Sequence, residues 1–200
     1  GAGERLLVLL HGWGANAQDV AGLINAISMV SSPIRALLPN APFSHPMVPE
    51  GRAWYSFPAN YDFRREHDFE SQADLKETRQ RLLTWMRSLP EQTGIPLKKT
   101  IMGGFSQGGA MTLDIGPQLP LAAMLILSSY SHAPIPKCIT PRPVLLIHGR
   151  QDPVVPLAKA LETKFQLEAQ GLTLTYREFD MGHEVSPDAL KIASDFCFSL

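Results

Sequence analysis

Two cysteines in 200 residues cannot supply a disulfide framework. Cys138 falls in a proline-rich stretch and Cys197 in a helical pattern near the end, so both read as reduced thiols of a cytoplasmic protein. A surplus of either charge is missing too, with 18 Lys and Arg against 19 Asp and Glu. Nucleic acid is therefore not an expected partner, because phosphate binding relies on clustered basic side chains. No apolar run approaches the roughly 20 residues that cross a bilayer, so no integral membrane segment is expected. The opening Gly1-Ala2-Gly3-Glu4-Arg5 lacks the pattern of a signal peptide. His11, His45, His67, His132 and His148 show no metal-ligand spacing, and neither a metal nor a cofactor is expected.

What the chain has is an ordinary globular composition, 44% hydrophobic and 18% charged, in a pattern of alternating strands and helices. Leu6-Leu7-Val8-Leu9-Leu10 is a continuous apolar run, the mark of a strand buried on both faces. It stops at His11-Gly12-Trp13-Gly14-Ala15-Asn16, where Asn16 can cap a helix bearing Val20, Leu23, Ile24 and Ile27 at helical spacing. Ile34 to Leu38 predicts a second strand, ended by Pro39-Asn40-Ala41-Pro42. From there to about Asp68 the pattern is irregular but holds Phe43, Trp54, Tyr55, Phe57, Tyr61 and Phe63. A long loop in a compact domain is usually functional or disordered, and so many aromatics argue against disorder.

The next helix opens on Asp68, Glu70 and Asp74 and runs to about Met86, with Leu75, Leu82 and Met86 as its apolar stripe. Strands follow at Thr100 to Gly103, Ala122 to Leu127 and Val144 to His148. Leu172 to Tyr176 alternates, which predicts a half-exposed edge strand. Between these, a helix from about Leu157 to Gln170 should pack through Leu157, Leu161 and Phe165. A last helix, capped by Ser186 with Pro187 at its first position, turns Leu190, Ala193 and Phe196 inward. Six such strands alternating with helices imply a parallel, doubly wound α/β sheet with helices on both faces. No repeat or linker divides it, so 1–200 reads as one domain. Ligands of such sheets bind outside the carboxyl ends of the strands, near the point where strand order reverses.

Chemistry-bearing residues collect at those ends. Gly104-Phe105-Ser106-Gln107-Gly108 places a serine between glycines at a strand-to-helix turn, a way to hold a nucleophile clear of the sheet. Alone the pattern is weak. Serine needs a base, and His183 follows the last strand; a histidine base needs a carboxylate, and Asp152 follows the fifth. Asp180 and Glu184 are competing acids: Asp180 would require the short loop to fold back, and Glu184 adjoins the base and would point elsewhere. The order Ser106, Asp152, His183 is that of α/β-hydrolases. Backbone N–H groups of Gln107 and Trp13 are the candidate donors to a developing oxyanion. A phosphate-cradling role for His11 to Gly14 lacks the following Lys-Ser/Thr and the G-x-G-x-x-G spacing. Trp54 has two readings, plain core or a wall of a substrate pocket, and the second is favoured by its place in the long loop.

Taken with Leu10 to Gly14, Pro39 to Pro42, Ala53-Trp54-Tyr55, Gly104 to Gly109, His148 to Pro156 and Gly182-His183, the chain resembles the carboxylesterase/phospholipase family of small α/β-hydrolases, acyl-protein thioesterases and bacterial carboxylesterases among them. The resemblance covers nearly the whole chain. It implies an α/β-hydrolase fold without a large lid, Ser106 as nucleophile with Asp152 and His183, and Trp13 and Gln107 as oxyanion donors. It also implies a cofactor-free serine hydrolase of carboxylic esters with short to medium acyl chains. Thioesters of acylated proteins and lysophospholipids are the alternative substrates, and a non-catalytic ligand-binding member of the fold is the alternative of another class. The sequence departs from the family's pattern after His148-Gly149, where Arg150-Gln151 replaces a usual acidic position, and in the 39–68 stretch. Exposed aromatics of that stretch are candidates for a homodimer contact.

Overall fold

The computed structural model describes residues 4–27 and 34–200; Gly1–Gly3 and the Ile27 side chain of the expected first-helix stripe lie outside the described residues. The first strand, β1 (Arg5–Leu10), leads to α1 (Ala17–Ile27) and β2 (Ile34–Leu37). A two-stranded antiparallel ribbon, β3 (Phe43–Ser44) and β4 (Arg52–Ala53), interrupts the stretch expected to be irregular. Then come α2 (Ala73–Thr93), β5 (Thr100–Phe105), α3 (Gln107–Ile115), β6 (Ala123–Leu127), β7 (Pro143–Gly149), α4 (Leu157–Glu168), β8 (Thr173–Phe179) and α5 (Pro187–Phe198). Six strands form one sheet in the order β2-β1-β5-β6-β7-β8, every neighbouring pair parallel.

The apolar runs are continuous because both faces are covered. Leu6, Val8 and Leu10 of β1 enter one core cluster and Leu7 the other; β6 divides the same way, Met124 and Ile126 against Ala123, Leu125 and Leu127. Helices α2 and α3 supply Leu75, Leu82, Met86, Leu89, Met111, Leu113 and Ile115 to the first cluster, while α5 supplies Ala189, Ala193 and Cys197 to the second. β8 is an edge strand, only partly buried along its length, as its alternation requires.

Two helices differ from the pattern. α2 begins later and ends later than expected, because Asp68 caps a separate 3₁₀ turn at Phe69–Ser71 and the helix continues through Pro90 to Gly94, whose φ of 75° ends it. α4 does not pack through its largest residues: Leu161 and Phe165 are 45% and 72% exposed, and Ala160, Thr163 and Leu167 face inward instead. Small residues let the helix lie close to β7 and β8, which overrides the larger stripe.

One polar system crosses the first core cluster. Arg79 on α2 reaches Asp114 on α3 at 2.8 Å, and the same carboxylate meets His132 Nε2 at 2.9 Å. His132 Nδ1 lies 3.0 Å from the Tyr55 hydroxyl, which meets that of Tyr130 at 2.5 Å. Burial pushes the Asp114 carboxyl up, but the bonds and charges of His132 and Arg79 outweigh it and hold the carboxyl below its ordinary range. Its folded pKa is thus depressed, so its contribution is present above the unfolded value of about 4 and is lost as pH falls below it. Asp114→Ala should cost about 3 kcal/mol at pH 7, by leaving Arg79 and His132 without their partner. Urea denaturation should show the gap between wild type and variant narrowing below about pH 4, and a gap independent of pH would contradict the assignment.

Candidate active site

The reversal of strand order lies between β1 and β5: the chain steps from β1 to β2 on one side, then crosses to β5 on the other. The loops leaving these two strands bear Trp13 and Ser106. Ser106 is the single residue between β5 and α3, and its φ of 53° lies in the left-handed region that costs a non-glycine residue energy. The turn closes because its neighbours lack side chains. A Cβ on Gly104 would overlap the Gly108 backbone, and one on Gly108 would overlap the carbonyl oxygen of Leu10. Hydrogen bonds then pin the serine's backbone: its N–H donates to Leu127 O at 2.9 Å, and Ser129 Oγ donates to its carbonyl at 2.6 Å.

Ser106 Oγ lies 3.0 Å from His183 Nε2, and His183 Nδ1 lies 2.7 Å from Asp152 Oδ2. The second oxygen of Asp152 accepts the N–H groups of Val154 and Val155, both at 2.8 Å. Burial pushes the Asp152 carboxyl up, yet the bond and charge of His183 and these two amides hold it below the ordinary range. An ionised Asp152 can only accept, which assigns the Nδ1 proton to His183 and leaves Nε2 to accept from the serine hydroxyl. Beneath them His148, fully buried, donates from Nε2 to Val155 O at 2.9 Å and so buttresses the turn that holds Asp152. Asp180 turns away and pairs with Arg150 at 2.8 Å. The sequence-expected serine, base and acid are thus brought into one hydrogen-bonded line.

The first loop is held as tightly. His11 Nδ1 lies 2.7 Å from Gly12 O, an acceptor, and Nε2 accepts the Ala41 N–H at 3.0 Å. Burial lowers its pKa, in keeping with this neutral ring protonated on Nδ1. Trp13 is 41% exposed, with His45 and Phe57 against its ring at 4.0 and 5.4 Å between centroids. Among the described residues no acceptor of the protein engages the N–H of Trp13 or of Gln107.

Trp54 departs from its expected place. It is 2% exposed, its indole N–H donates to His11 O at 2.8 Å, and the cavity it borders is lined with Pro39, Pro42, Thr78, Leu82 and Trp85 and not with Ser106. Phe57, half-buried, packs on Trp13, Phe63 and Tyr130. Three participants escaped the sequence reading: Ser129, Tyr130 and the side chain of Gln107. His11 and His148, each a histidine before glycine at a strand end, are expected from that place to orient loops, and they do; the other three are recognisable only once the sheet is assembled.

The sequence model of a family described as phospholipase/carboxylesterase matches residues 2–199. Esterase YpfH of Escherichia coli (strain K12) is 29% identical over 197 residues, covering 96% of this chain and 81% of that protein. Acyl-protein thioesterase 1 homolog 1 of Dictyostelium discoideum is 26% identical, covering 95% of this chain and 88% of the relative. Among solved structures, the crystal structure of esterase PE8 superposes with a TM-score of 0.88 at 30% identity, over 100% of this chain and 94% of that one.

The approach of Gly108 to the Leu10 carbonyl can be tested by substitution. Gly108→Ala should destabilise the protein by about 2–3 kcal/mol in urea denaturation, since β1 and α3 must separate to admit the methyl group. Wild-type stability in the variant would show that the close approach is dispensable.

Proposed function

The chain belongs to the phospholipase/carboxylesterase family, and from that premise we propose that it acts as a serine hydrolase through Ser106, His183 and Asp152, with residues 1–200 working as one domain. The observation that carries the proposal is the continuous line from Ser106 Oγ through His183 to Asp152, with contacts of 3.0 and 2.7 Å. Ser106 attacks the ester carbonyl while His183 Nε2 takes the hydroxyl proton. Asp152 stabilises the imidazolium that forms and keeps the ring in its productive tautomer. Negative charge developing on the carbonyl oxygen falls to the N–H groups of Trp13 and Gln107, the latter at the positive end of α3. His183 protonates the leaving alcohol, then activates a water that releases the acyl group from Ser106. Every step uses side chains and amides of this chain, and none calls for a metal or cofactor.

The acyl groups proposed are short to medium, resting on the apolar surface of Phe57 and Trp13. Thioesters of acylated proteins are a second reading, favoured by the similarity to a protein named acyl-protein thioesterase. Cys138 and Cys197, both free thiols, support a cytoplasmic location, and among the described residues no helix is long and apolar enough to cross a membrane.

Ser106→Ala should lower kcat on p-nitrophenyl esters by several orders of magnitude and abolish fluorophosphonate labelling. Asp152→Asn should lower kcat by about 10⁴-fold, because an amide no longer dictates the imidazole tautomer. Wild-type protein that neither turns over an ester series from acetate to palmitate nor takes the label would be a ligand-binding member of the fold instead.

A further inference from the structure

One segment, residues 52–55, made of β4 and the bend after it, lies between the two loops whose amides are proposed to hold the oxyanion. On the side of the first loop, Gly14 N–H donates to Arg52 O and Arg52 N–H to Ala15 O, each at 2.8 Å. The Trp54 indole N–H donates to His11 O at 2.8 Å. Trp13 is therefore held from both sides, through the carbonyl two residues before it and the amide one residue after it. On the side of the serine turn, Gln107 is fully buried and its side-chain amide forms a matched pair with the segment. Oε1 accepts the Trp54 N–H at 2.9 Å, and Nε2 donates to Tyr55 O at 2.8 Å. A third anchor runs to α2, where Thr78 Oγ1 donates to Trp54 O at 2.6 Å.

We infer that Trp54 and the side chain of Gln107 are positioning residues that set the separation and aim of the Trp13 and Gln107 amides. Three features carry this. First, both loops are tied to the same few residues, so neither amide can shift without breaking bonds to a segment that also holds the other. Second, all the groups involved in the Gln107 and indole contacts are buried, where a lost partner is costly and a substitute water has no easy entry. Third, Gln107 joins two duties in one residue: its backbone N–H points to the reaction and its side chain fixes where that N–H sits. Stabilisation of this kind depends on donors standing where charge will develop, so a displacement of a fraction of an ångström weakens the transition state far more than the bound ester.

The inference rests on the hydrolase reading, and the test separates the two. Trp54→Phe removes the indole donor and Gln107→Met removes both side-chain hydrogen bonds. Each should lower kcat and kcat/KM together by about 10- to 100-fold with KM within about threefold, less than the loss of a whole donor. Affinity for an alkyl boronic acid, which forms a tetrahedral adduct on the serine, should fall by the same factor. Rates are expressed per site titrated with a fluorophosphonate, so a variant that merely unfolds in part loses titre and melting temperature, not kcat per site. The double variant should lose less than the product of the two single losses, because both act on one separation. Should Gln107→Met fail to fold, Thr78→Val removes the remote anchor and should show the same pattern at smaller size. Wild-type kcat and boronate affinity per site in folded Trp54→Phe or Thr78→Val would overturn the inference. Absence of turnover in the wild-type protein would instead overturn the hydrolase reading.

Discussion

The distance between the end of β1 and the start of α3 governs the whole rim. Gly108 lies against the carbonyl oxygen of Leu10, a contact closed to any residue with a Cβ. That approach brings the first loop beside the serine turn and places the strain of Ser106, with its φ of 53°, at the point where strand order reverses. A strained residue persists only where its surroundings over-determine it. Here they do: Leu127 of β6 and Ser129 of the loop after it hold the serine's backbone, and the helix begins at the next residue.

At this rim the side chains of Asp152, His148 and His11 find more of their partners on the backbone than on other side chains. Asp152 meets two amides besides His183; His148 meets the Val155 carbonyl; His11 bridges the Gly12 carbonyl and the Ala41 amide. Loop conformation and side-chain orientation are thereby one problem with one solution, since a buried polar atom that loses its partner costs on the order of 1–3 kcal/mol. The Arg79–Asp114–His132 system applies the same logic one layer away, joining α2 and α3 to the loop after β6 that also carries Ser129.

The strands were legible because burial on both faces leaves a short unbroken apolar run bounded by turn residues, and Leu6–Leu10 and Ala123–Leu127 are its examples. The placing of Ser106, Asp152 and His183 at strand ends was legible for a related reason: in a parallel sheet every strand delivers its C-terminal residue to one rim. Residues whose partners are remote gave no local signal. Trp54 and Gln107 stand 53 positions apart, and nothing in the spacing of either reveals that a side-chain amide meets a backbone amide across that gap. On α4, two faces competed and size misled: Phe165 is larger than Ala160, yet the sheet accepts the smaller residue because the helix must lie close.

Trp54 joins these strands of argument. A large aromatic in a loop near a catalytic rim suggests contact with substrate, but an indole carries a donor as well as a surface, and burial decides which of the two is used. Here the ring fills the core beside His11, at 5.2 Å between centroids, and the N–H is spent on the carbonyl that precedes the Trp13 loop. On the proposed hydrolase reading, substrate contact falls to Trp13, 41% exposed, and to the half-buried Phe57 packed on it. On that reading selectivity and transition-state geometry are separable: Trp13 and Phe57 can change with the acyl group, while the buried pair of Trp54 and Gln107 is inferred to set the amides that the chemistry requires.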